Sequence, residues 1–324
     1  MVRAVRLLAF ALVVLALPAW AARTDPSADG PFLVGVSTLT FTDTGRGRAL
    51  VTEVWYPARA AGRDAPARRG RYPLVLVAHG YCGFRTNYEY LTVPLASRGF
   101  LVAAPDFPGI NQADCAAGAP QGDLFRDPPR DLSFLRSAFH DRSGPARALK
   151  PLVRGRRAGL VGHSLGGAAV VNASLADRYL TAAVAIAPVA GSANGEAFHD
   201  RHPRRAVLVV GGTADTTLAF DATAAPFFAS LPPPAFLVKI VGGTHGGFTD
   251  MDSRLAPAAL ARQQALTRRY ATAFLERYTA RDPRFARFLT SADAAGEGAD
   301  VELTVRLGRA GTAASGYLTL ASAS

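Results

Sequence analysis

Lysine is almost missing from this strongly basic chain. Its 324 residues include 36 Lys and Arg against 25 Asp and Glu, a net charge of +11, yet the only lysines are Lys150 and Lys239. A charge of this size can indicate a nucleic-acid or anionic-membrane partner. The arginines, however, are scattered over predicted loops and helix ends, as a biased composition would produce. We therefore expect no nucleic-acid partner and leave open only a loose attraction to acidic surfaces.

Long hydrophobic runs are missing beyond the N-terminus. No later run reaches the ~20 apolar residues that a membrane-spanning helix needs. The N-terminal run, residues 7–17, is shorter, follows two arginines and precedes Ala19-Trp20-Ala21, an A-x-A cleavage site. We predict that residues 1–22 are a secretory signal peptide, cleaved near Ala21. The mature protein is then exported, to the periplasm or outside the cell, without stable membrane insertion.

After residue 70 the chain alternates apolar runs with helix-compatible segments. Strands are predicted at 72–78, 100–104, 158–162, 181–187, 205–210 and 235–241. This alternation is typical of an α/β fold with a mostly parallel central sheet, right-handed crossovers and helices on both faces. Two further strands, 32–41 and 49–56, are predicted as an antiparallel hairpin at the N-terminal edge. Residues 23–290 would then form one domain.

The sequence also contains two predicted helix caps and two β-like runs in the C-terminal tail. Thr86-Asn87-Tyr88-Glu89 has the pattern of a capping box, and Asp131 is predicted to cap a second helix. The tail, residues 291–324, contains two β-like runs, Val301–Leu307 and Tyr317–Leu320. Whether they pair with the sheet stays open.

The most informative motif is Gly162-His163-Ser164-Leu165-Gly166, which follows the apolar run Ala158–Val161 and precedes a helix-compatible stretch. A serine at a sharp strand-to-helix turn points its hydroxyl out of the fold, and glycines two residues before and after allow the tight turn. The motif predicts a nucleophile elbow with Ser164 as the nucleophile. The alternative is an ordinary turn serine. We expect His163 to be structural.

A base and a carboxylate follow the elbow along the chain. Asp215 lies in the loop after the strand 205–210, and His245 lies in the loop after the strand 235–241. The base accepts the serine proton, while the carboxylate fixes the base's tautomer. The order serine, aspartate, histidine is that of α/β-hydrolases. The other candidates for the acid are Asp106, Glu196 and Asp250.

Two backbone N–H groups should complete the site by binding the oxyanion. The elbow supplies one from Leu165, and the second comes from the turn after an earlier strand. That turn is residues 79–83, after the strand 72–78, and we assign the donor to the N–H of Tyr81. His79 is expected to organise this turn without transferring protons.

The cysteines are also scarce, since Cys82 and Cys115 are the only two. Export would place them where disulfides persist. Cys82 follows the strand 72–78 and Cys115 follows the strand 100–104, and such loops emerge at the same edge of a parallel sheet. We predict a Cys82–Cys115 disulfide near the mouth of the site. Two separate thiols are the alternative.

These motifs, in this order, resemble the α/β-hydrolase superfamily. The stretch from His79 to Asp106, which includes Tyr88 and residues 95–105, looks like the branch of dienelactone-hydrolase-like proteins, chlorophyllases and platelet-activating-factor acetylhydrolases. The resemblance covers roughly residues 31–280 and implies a serine esterase. Dienelactone hydrolases proper have a cysteine where this chain has Ser164. Bacterial polyester hydrolases share the aromatic residue after the glycine of the oxyanion turn.

Three aromatic residues and a long loop are candidates for substrate binding. The side chains of Tyr81, Phe84 and Tyr88 could stack against an acyl or aromatic group, or simply fill the surface above the sheet. Residues 107–130, rich in glycine and proline, are predicted as an irregular loop that shapes the pocket. Because no long helical insertion follows the strand 181–187, we expect an open cleft that suits short to medium acyl esters.

The sequence is interpreted as an exported serine hydrolase that cleaves small or lipid-like carboxylic esters through an acyl-enzyme. Acyl transfer to another alcohol uses the same groups, and a non-catalytic binding protein on a hydrolase scaffold is the alternative from another class. His199 and His202 have a spacing that could bind a metal, but no third ligand is near. We expect neither metal nor cofactor.

Overall fold

A mixed sheet lies at the centre of the computed structural model, which describes residues 25–141, 143–189, 205–251 and 254–308. Within these residues the strands are β1 (Leu33–Asp43), β2 (Arg48–Ala58), β3 (Gly62–Arg63), β4 (Tyr72–Ala78), β5 (Leu101–Pro105), β6 (Val153–His163), β7 (Leu180–Ile186), β8 (Ala206–Gly212), β9 (Ala235–Ile240) and β10 (Val301–Arg306). Their order across the sheet is β10-β9-β8-β7-β6-β4-β5-β2-β1-β3.

The six strands from β4 to β9 are parallel, and β4, β5 and β8 are buried along their whole length. Strands covered on both faces read as continuous apolar runs, which is why the sequence indicated them clearly. The hairpin of β1 and β2 adds antiparallel strands at one edge. The predicted fold class, an α/β-hydrolase fold with a mostly parallel sheet, is confirmed.

Helices cover both faces of this sheet. They are α1 (Glu89–Ser97), α2 (Gln112–Ala116), α3 (Asp127–Ala138), α4 (Leu165–Ala176), α5 (Ala224–Ser230), α6 (Pro257–Leu275) and α7 (Ser291–Gly296). One face packs its core against α3, α4 and α5, and the other against α1, α6 and α7. Alternate residues of one strand supply the two cores, since Leu76 faces the first and Val77 the second.

The predicted capping box at the start of α1 is wrong. The helix begins at Glu89, and no side chain of the preceding residues caps it. Residues 84–87 form their own turn, in which the N–H of Phe84 donates to Oδ1 of Asn87 at 2.6 Å. The first N–H groups of the helix donate instead to the carboxylate of Asp250, from Glu89 and, at 3.3 Å, from Tyr90. A distant loop therefore caps α1.

Asp131 does not cap a helix either, because α3 begins four residues earlier, with two prolines in its first turn. Its carboxylate is fully buried and is bound by two arginines from the β1–β2 hairpin. Nη2 of Arg48 lies 2.6 Å from Oδ2, and Nη2 of Arg46 lies 2.8 Å from Oδ1. The side chain joins the N-terminal hairpin to the helix layer.

The C-terminal tail contributes the last strand of the sheet. β10 pairs antiparallel with β9, from Val301 opposite Ile240 to Arg306 opposite Ala235. The other β-like run, Tyr317–Leu320, and the predicted signal peptide lie outside the described residues. Among those residues, no helix combines the length and the apolar character needed to cross a membrane.

Candidate active site

Ser164 lies at a sharp turn between β6 and α4. Its backbone has φ 57° and ψ −121°, a left-handed conformation that is unfavourable for a residue with a side chain. The neighbouring strand and the helix stabilise this conformation. The N–H of Ser164 donates to the carbonyl of Ile186 at 2.9 Å, and its carbonyl accepts from the N–H of Gly167 at 2.9 Å. This is the geometry of a nucleophile elbow.

The two glycines that flank Ser164, Gly162 and Gly166, are required because neighbouring backbone atoms occupy the space that a side chain at either position would need. A Cβ on Gly162 would lie 2.1 Å from the carbonyl oxygen of Gly166. A Cβ on Gly166 would lie 2.3 Å from the carbonyl oxygen of Ala78, at the end of β4. Both distances are far below van der Waals contact. The glycines of the motif therefore allow α4 to start directly against β6 and β4.

The structure brings Asp215 and His245 together from the loops after β8 and β9. Oδ2 of Asp215 lies 2.8 Å from Nδ1 of His245. Its other oxygen, Oδ1, accepts the N–H groups of Thr217 at 2.9 Å and Leu218 at 2.7 Å. Burial alone would raise the pKa of this carboxyl, but the hydrogen bonds from His245, Leu218 and Thr217 bring it below its usual value.

This pairing determines which nitrogen of His245 can act as a base. Because Asp215 is a carboxylate, Nδ1 of His245 carries the proton that it donates, and the lone pair is on Nε2. The other predicted candidates for the acid are engaged elsewhere. Asp106 binds Nη1 of Arg85 at 2.6 Å, and Asp250 caps α1. Glu196 lies outside the described residues.

His163 packs beside the candidate base and is buried. Its ring centroid is 4.6 Å from that of His245, and its Nδ1 lies 3.2 Å from the hydroxyl oxygen of Tyr88. Burial, with a smaller effect from His245, lowers the pKa of His163 to about 3. The imidazole is therefore neutral at ordinary pH. These contacts fit the structural role that the sequence suggested.

The turn after β4 packs directly against Ser164. A Cβ on Gly80 would lie 3.1 Å from Cβ of Ser164. His79 ties this turn to the next loop, since its Nδ1 binds the carbonyl of Gly80 at 2.7 Å and its Nε2 accepts the N–H of Phe107 at 3.0 Å. Burial lowers the pKa of His79, so the ring is neutral. Neither the N–H of Tyr81 nor that of Leu165 donates to any residue that the structure describes.

A disulfide joins Cys82 to Cys115, as the sequence predicted. It links the turn after β4 to α2, a short helix within the stretch that the sequence indicated as irregular. The backbone supports the same connection. The N–H of Cys82 donates to the carbonyl of Ile110 at 2.9 Å, and the N–H of Gln112 donates to the carbonyl of Gly83 at 2.8 Å.

The three aromatic residues suggested for substrate binding differ in exposure. Tyr81 is 49% exposed, and its hydroxyl accepts a hydrogen bond from the side-chain amide of Gln121 in the loop before α3. Phe84 is half-buried. Tyr88 does not lie on the surface above the sheet, because its side chain is only 4% exposed and its hydroxyl binds Gly80 and His163. A direct contact of Tyr88 with substrate is therefore the wrong prediction.

One residue that supports the site was missed in the sequence. Gln263, on α6, is buried, and its amide binds the backbone N–H and carbonyl of Thr244, the residue before His245. Nε2 of Gln263 donates to the carbonyl of Thr244 at 2.8 Å, and Oε1 accepts its N–H at 3.1 Å. The sequence contains one sign of this role. Gln263 lies three residues before Leu266 and seven before Tyr270, so it is a polar residue on the apolar face of the helix.

The described residues contain no group of three His, Cys, Asp or Glu side chains that could hold a metal ion. The weak candidates His199 and His202 lie outside them.

We expect Gly166→Ala to abolish folding or ester hydrolysis, because the new Cβ would overlap the carbonyl of Ala78. Overpacking of this kind typically costs about 1–3 kcal/mol, and here rigid backbone blocks relief. The matched control is Gly296→Ala at the end of α7, where a Cβ meets nothing within 4 Å. Thermal unfolding and ester turnover of both variants check the expectation. Wild-type values for Gly166→Ala would show that the elbow tolerates a side chain.

Comparison with known proteins agrees with this architecture. The family model described as PET hydrolase-like matches residues 18–304. The chain is 25% identical over 244 residues to Cutinase est2 of Thermobifida alba, covering 73% of this chain and 70% of the relative. It is 25% identical over 271 residues to a bis(hydroxyethyl) terephthalate hydrolase of Streptomyces coelicolor, covering 80% and 71% of the two chains.

A shorter similarity joins the chain to the platelet-activating-factor acetylhydrolase of Cavia porcellus, at 34% identity over 82 residues, 25% of this chain and 17% of that one. The branch of hydrolases that the sequence resembles is thereby confirmed. The family match spans the strands of the sheet, the elbow and the Asp215–His245 pair. The chain belongs to the PET hydrolase-like family, and with it to the carboxylic ester hydrolases of the α/β-hydrolase fold.

Proposed function

We propose that the protein hydrolyses carboxylic esters through an acyl-enzyme on Ser164, with His245 as the general base and Asp215 as the residue that orients it. The observation that carries the proposal is the 2.8 Å contact between Nδ1 of His245 and Oδ2 of Asp215, with the ring of His245 packed 4.6 Å from that of His163, the residue before the strained Ser164. That contact leaves Nε2 of His245 free to accept a proton. A neutral base with a fixed tautomer is what a serine nucleophile requires.

In the acylation step, Oγ of Ser164 attacks the ester carbonyl while Nε2 of His245 takes the hydroxyl proton. The carbonyl oxygen becomes an oxyanion, which the N–H groups of Tyr81 and Leu165 stabilise. When the tetrahedral intermediate collapses, the bond to the alcohol breaks and His245 returns the proton to the leaving oxygen. Asp215 remains ionised throughout and stabilises the imidazolium.

Deacylation repeats these steps with water in place of serine. His245 takes a proton from water, the hydroxide attacks the acyl carbonyl, and Ser164 leaves with the proton that His245 gives back. An acceptor alcohol in place of water would give acyl transfer. The half-exposed Tyr81 beside the turn indicates a site open to solvent, and this favours hydrolysis.

The substrate class follows from the relatives and the surface of the site. Relatives at 25% identity carry the names cutinase and bis(hydroxyethyl) terephthalate hydrolase, both of which cleave esters. We infer that this chain accepts esters with short to medium acyl groups, bound along Tyr81 and Phe84. The predicted signal peptide and the Cys82–Cys115 disulfide both support an exported enzyme.

We expect Ser164→Ala to lose about six orders of magnitude in kcat, the loss typical of removing a serine nucleophile from a catalytic triad. The matched control is Ser174→Ala on α4, where the serine hydroxyl donates only to the carbonyl of Val171 within the helix. Turnover of p-nitrophenyl butyrate by both variants, with circular dichroism as a check of folding, tests this. Turnover by Ser164→Ala within tenfold of wild type would refute the assignment.

Asp215→Asn should lower kcat by about 10³–10⁴ without unfolding the protein, the scale set by the same change in a serine protease. The N–H groups of Thr217 and Leu218 already occupy Oδ1, so an asparagine would keep its oxygen there and turn its NH₂ toward His245. His245 would then carry its proton on Nε2 and could not accept one from serine. Asp221→Asn, on the surface of the next turn, is the control. A near-normal kcat for Asp215→Asn would require another acid.

The sequence-based expectation of an open cleft rests on the connection after β7, most of which (residues 190–204) lies outside the described residues. If that cleft is open, there should be no activation at a lipid–water interface, because such activation requires a mobile lid that hides apolar surface. Rates on tributyrin measured across its solubility limit should rise smoothly, and p-nitrophenyl butyrate should be cleaved faster than the palmitate ester. A sharp jump in rate when the emulsion forms would show that residues 107–130 act as a lid.

A further inference from the structure

The hydroxyl of Tyr88 lies between the two turns that carry the proposed oxyanion donors. Its oxygen accepts the N–H of Gly80, the residue before Tyr81, at 3.2 Å. The same oxygen is 3.2 Å from Nδ1 of His163, two residues before Leu165. The side chain is 4% exposed, so both contacts are made away from bulk solvent.

The N–H of Gly80 can only donate, so it occupies the Tyr88 oxygen as acceptor and leaves the hydroxyl hydrogen of Tyr88 for Nδ1 of His163. Burial raises the pKa of Tyr88, so its hydroxyl keeps its proton. Burial lowers the pKa of His163 to about 3, so its ring is neutral, and with its one proton on Nε2 it accepts the hydrogen bond at Nδ1. Tyr88 therefore accepts from the turn after β4 and donates to the elbow. The hydroxyl of Tyr88 thus gives a hydrogen-bond partner to the N–H of Gly80 on one side and to Nδ1 of His163 on the other.

The peptide unit that carries the N–H of Tyr81 also carries the carbonyl of Gly80, because the two groups belong to one planar amide. His79 holds that carbonyl through Nδ1 at 2.7 Å, and Tyr88 holds the N–H on the other side of Gly80. The direction of the Tyr81 N–H is thus set by two buried side chains. Of these two side chains, that of Tyr88 also forms a hydrogen bond with the elbow, through Nδ1 of His163.

The position of Tyr88 itself depends on the loop of the candidate base. Tyr88 directly precedes α1, whose first N–H groups, from Glu89 and Tyr90, are held by Asp250. The N–H of Asp250 in turn donates to the carbonyl of Asn87 at 2.9 Å. Asp250 follows His245 by five residues. The turn after β4, the elbow and the His245 loop therefore meet at this tyrosine.

We propose that Tyr88 is a positioning residue that sets the separation between the Tyr81 and Leu165 N–H groups. The inference rests on the proposed function, since it requires an oxyanion between those groups. Tyr88 touches no reacting atom. Its effect is exerted on the transition state, in which the oxyanion forms, and not on ground-state binding of the ester.

Tyr88→Phe keeps the ring and removes only the hydroxyl. We expect kcat to fall about 10- to 100-fold, less than the loss of an oxyanion donor, while KM stays within about twofold. A trifluoromethyl ketone inhibitor adds to the serine and forms an oxyanion at the same place, so its Ki should rise in parallel with the loss of kcat/KM. The matched control is Tyr90→Phe, the same deletion two residues along the chain, which should leave kcat and Ki within about twofold.

Two outcomes of this experiment separate the inference from the proposed function. If Tyr88→Phe melts at a lower temperature but keeps wild-type kcat and Ki, the hydroxyl only stabilises the fold and the inference is overturned. Labelling with a fluorophosphonate and mass spectrometry identifies the nucleophile independently. If wild type is not labelled on Ser164, the proposed function fails, whatever the variant does.

A second variant keeps the inference testable if Tyr88→Phe does not fold. His163→Phe retains a ring at the elbow and the bond from Gly80 to Tyr88, but it removes the acceptor at Nδ1. We expect a smaller loss of kcat, about three- to tenfold, again matched by a rise in Ki for the ketone. In the double variant the two losses should be less than multiplicative, since both act through one contact. Unchanged kcat and Ki in folded His163→Phe would overturn the inference.

Discussion

The close approach of three backbone segments at the elbow is the constraint on which the site depends. The end of β6, the start of α4 and the end of β4 are packed so tightly that a Cβ on Gly162 or Gly166 would overlap a carbonyl oxygen. The strained conformation of Ser164 is possible because this packing and the bond to Ile186 hold it in place. The same approach places Gly80 against the serine.

Around the elbow, buried side chains hold the loops in place. Gln263 of α6 binds the backbone N–H and carbonyl of Thr244, His79 binds the carbonyl of Gly80, and Tyr88 joins two turns. Buried backbone groups at the ends of strands have lost their partners in the sheet and need others, because an unpaired buried polar atom is costly. These side chains meet that need and at the same time limit the movement of the loops that carry the reacting groups.

Among the buried titratable groups Asp215, His79 and His163, only Asp215 carries a charge at ordinary pH. Burial keeps the rings of His79 and His163 neutral, so neither competes with His245 for a proton. Asp215 is the exception, since three hydrogen bonds keep it ionised despite its burial. Its charge is therefore directed at one nitrogen of one histidine. Positive charge that develops on His245 in the reaction is stabilised by this carboxylate.

The sequence by itself determined where the parallel strands lie along the chain, and from the residues after them it predicted the elbow, the candidates Asp215 and His245, and the pairing of Cys82 with Cys115. These features follow from local patterns, apolar runs and the residues that end them, together with the rule that loops after parallel strands share one edge. The triad candidates could be chosen because each lies in the turn or loop that follows a predicted strand.

The tertiary structure decided the contacts between segments that are far apart in the chain. Asp250 caps a helix 161 residues earlier in place of the predicted box, and Asp131 binds arginines of the N-terminal hairpin in place of capping α3. Tyr88 lies inside the protein and Gln263 supports the His245 loop. Apart from the position of Gln263 on an apolar helix face, no local pattern marks these residues, and none identifies their partners, because the hydrogen bonds arise only when packing brings distant groups together.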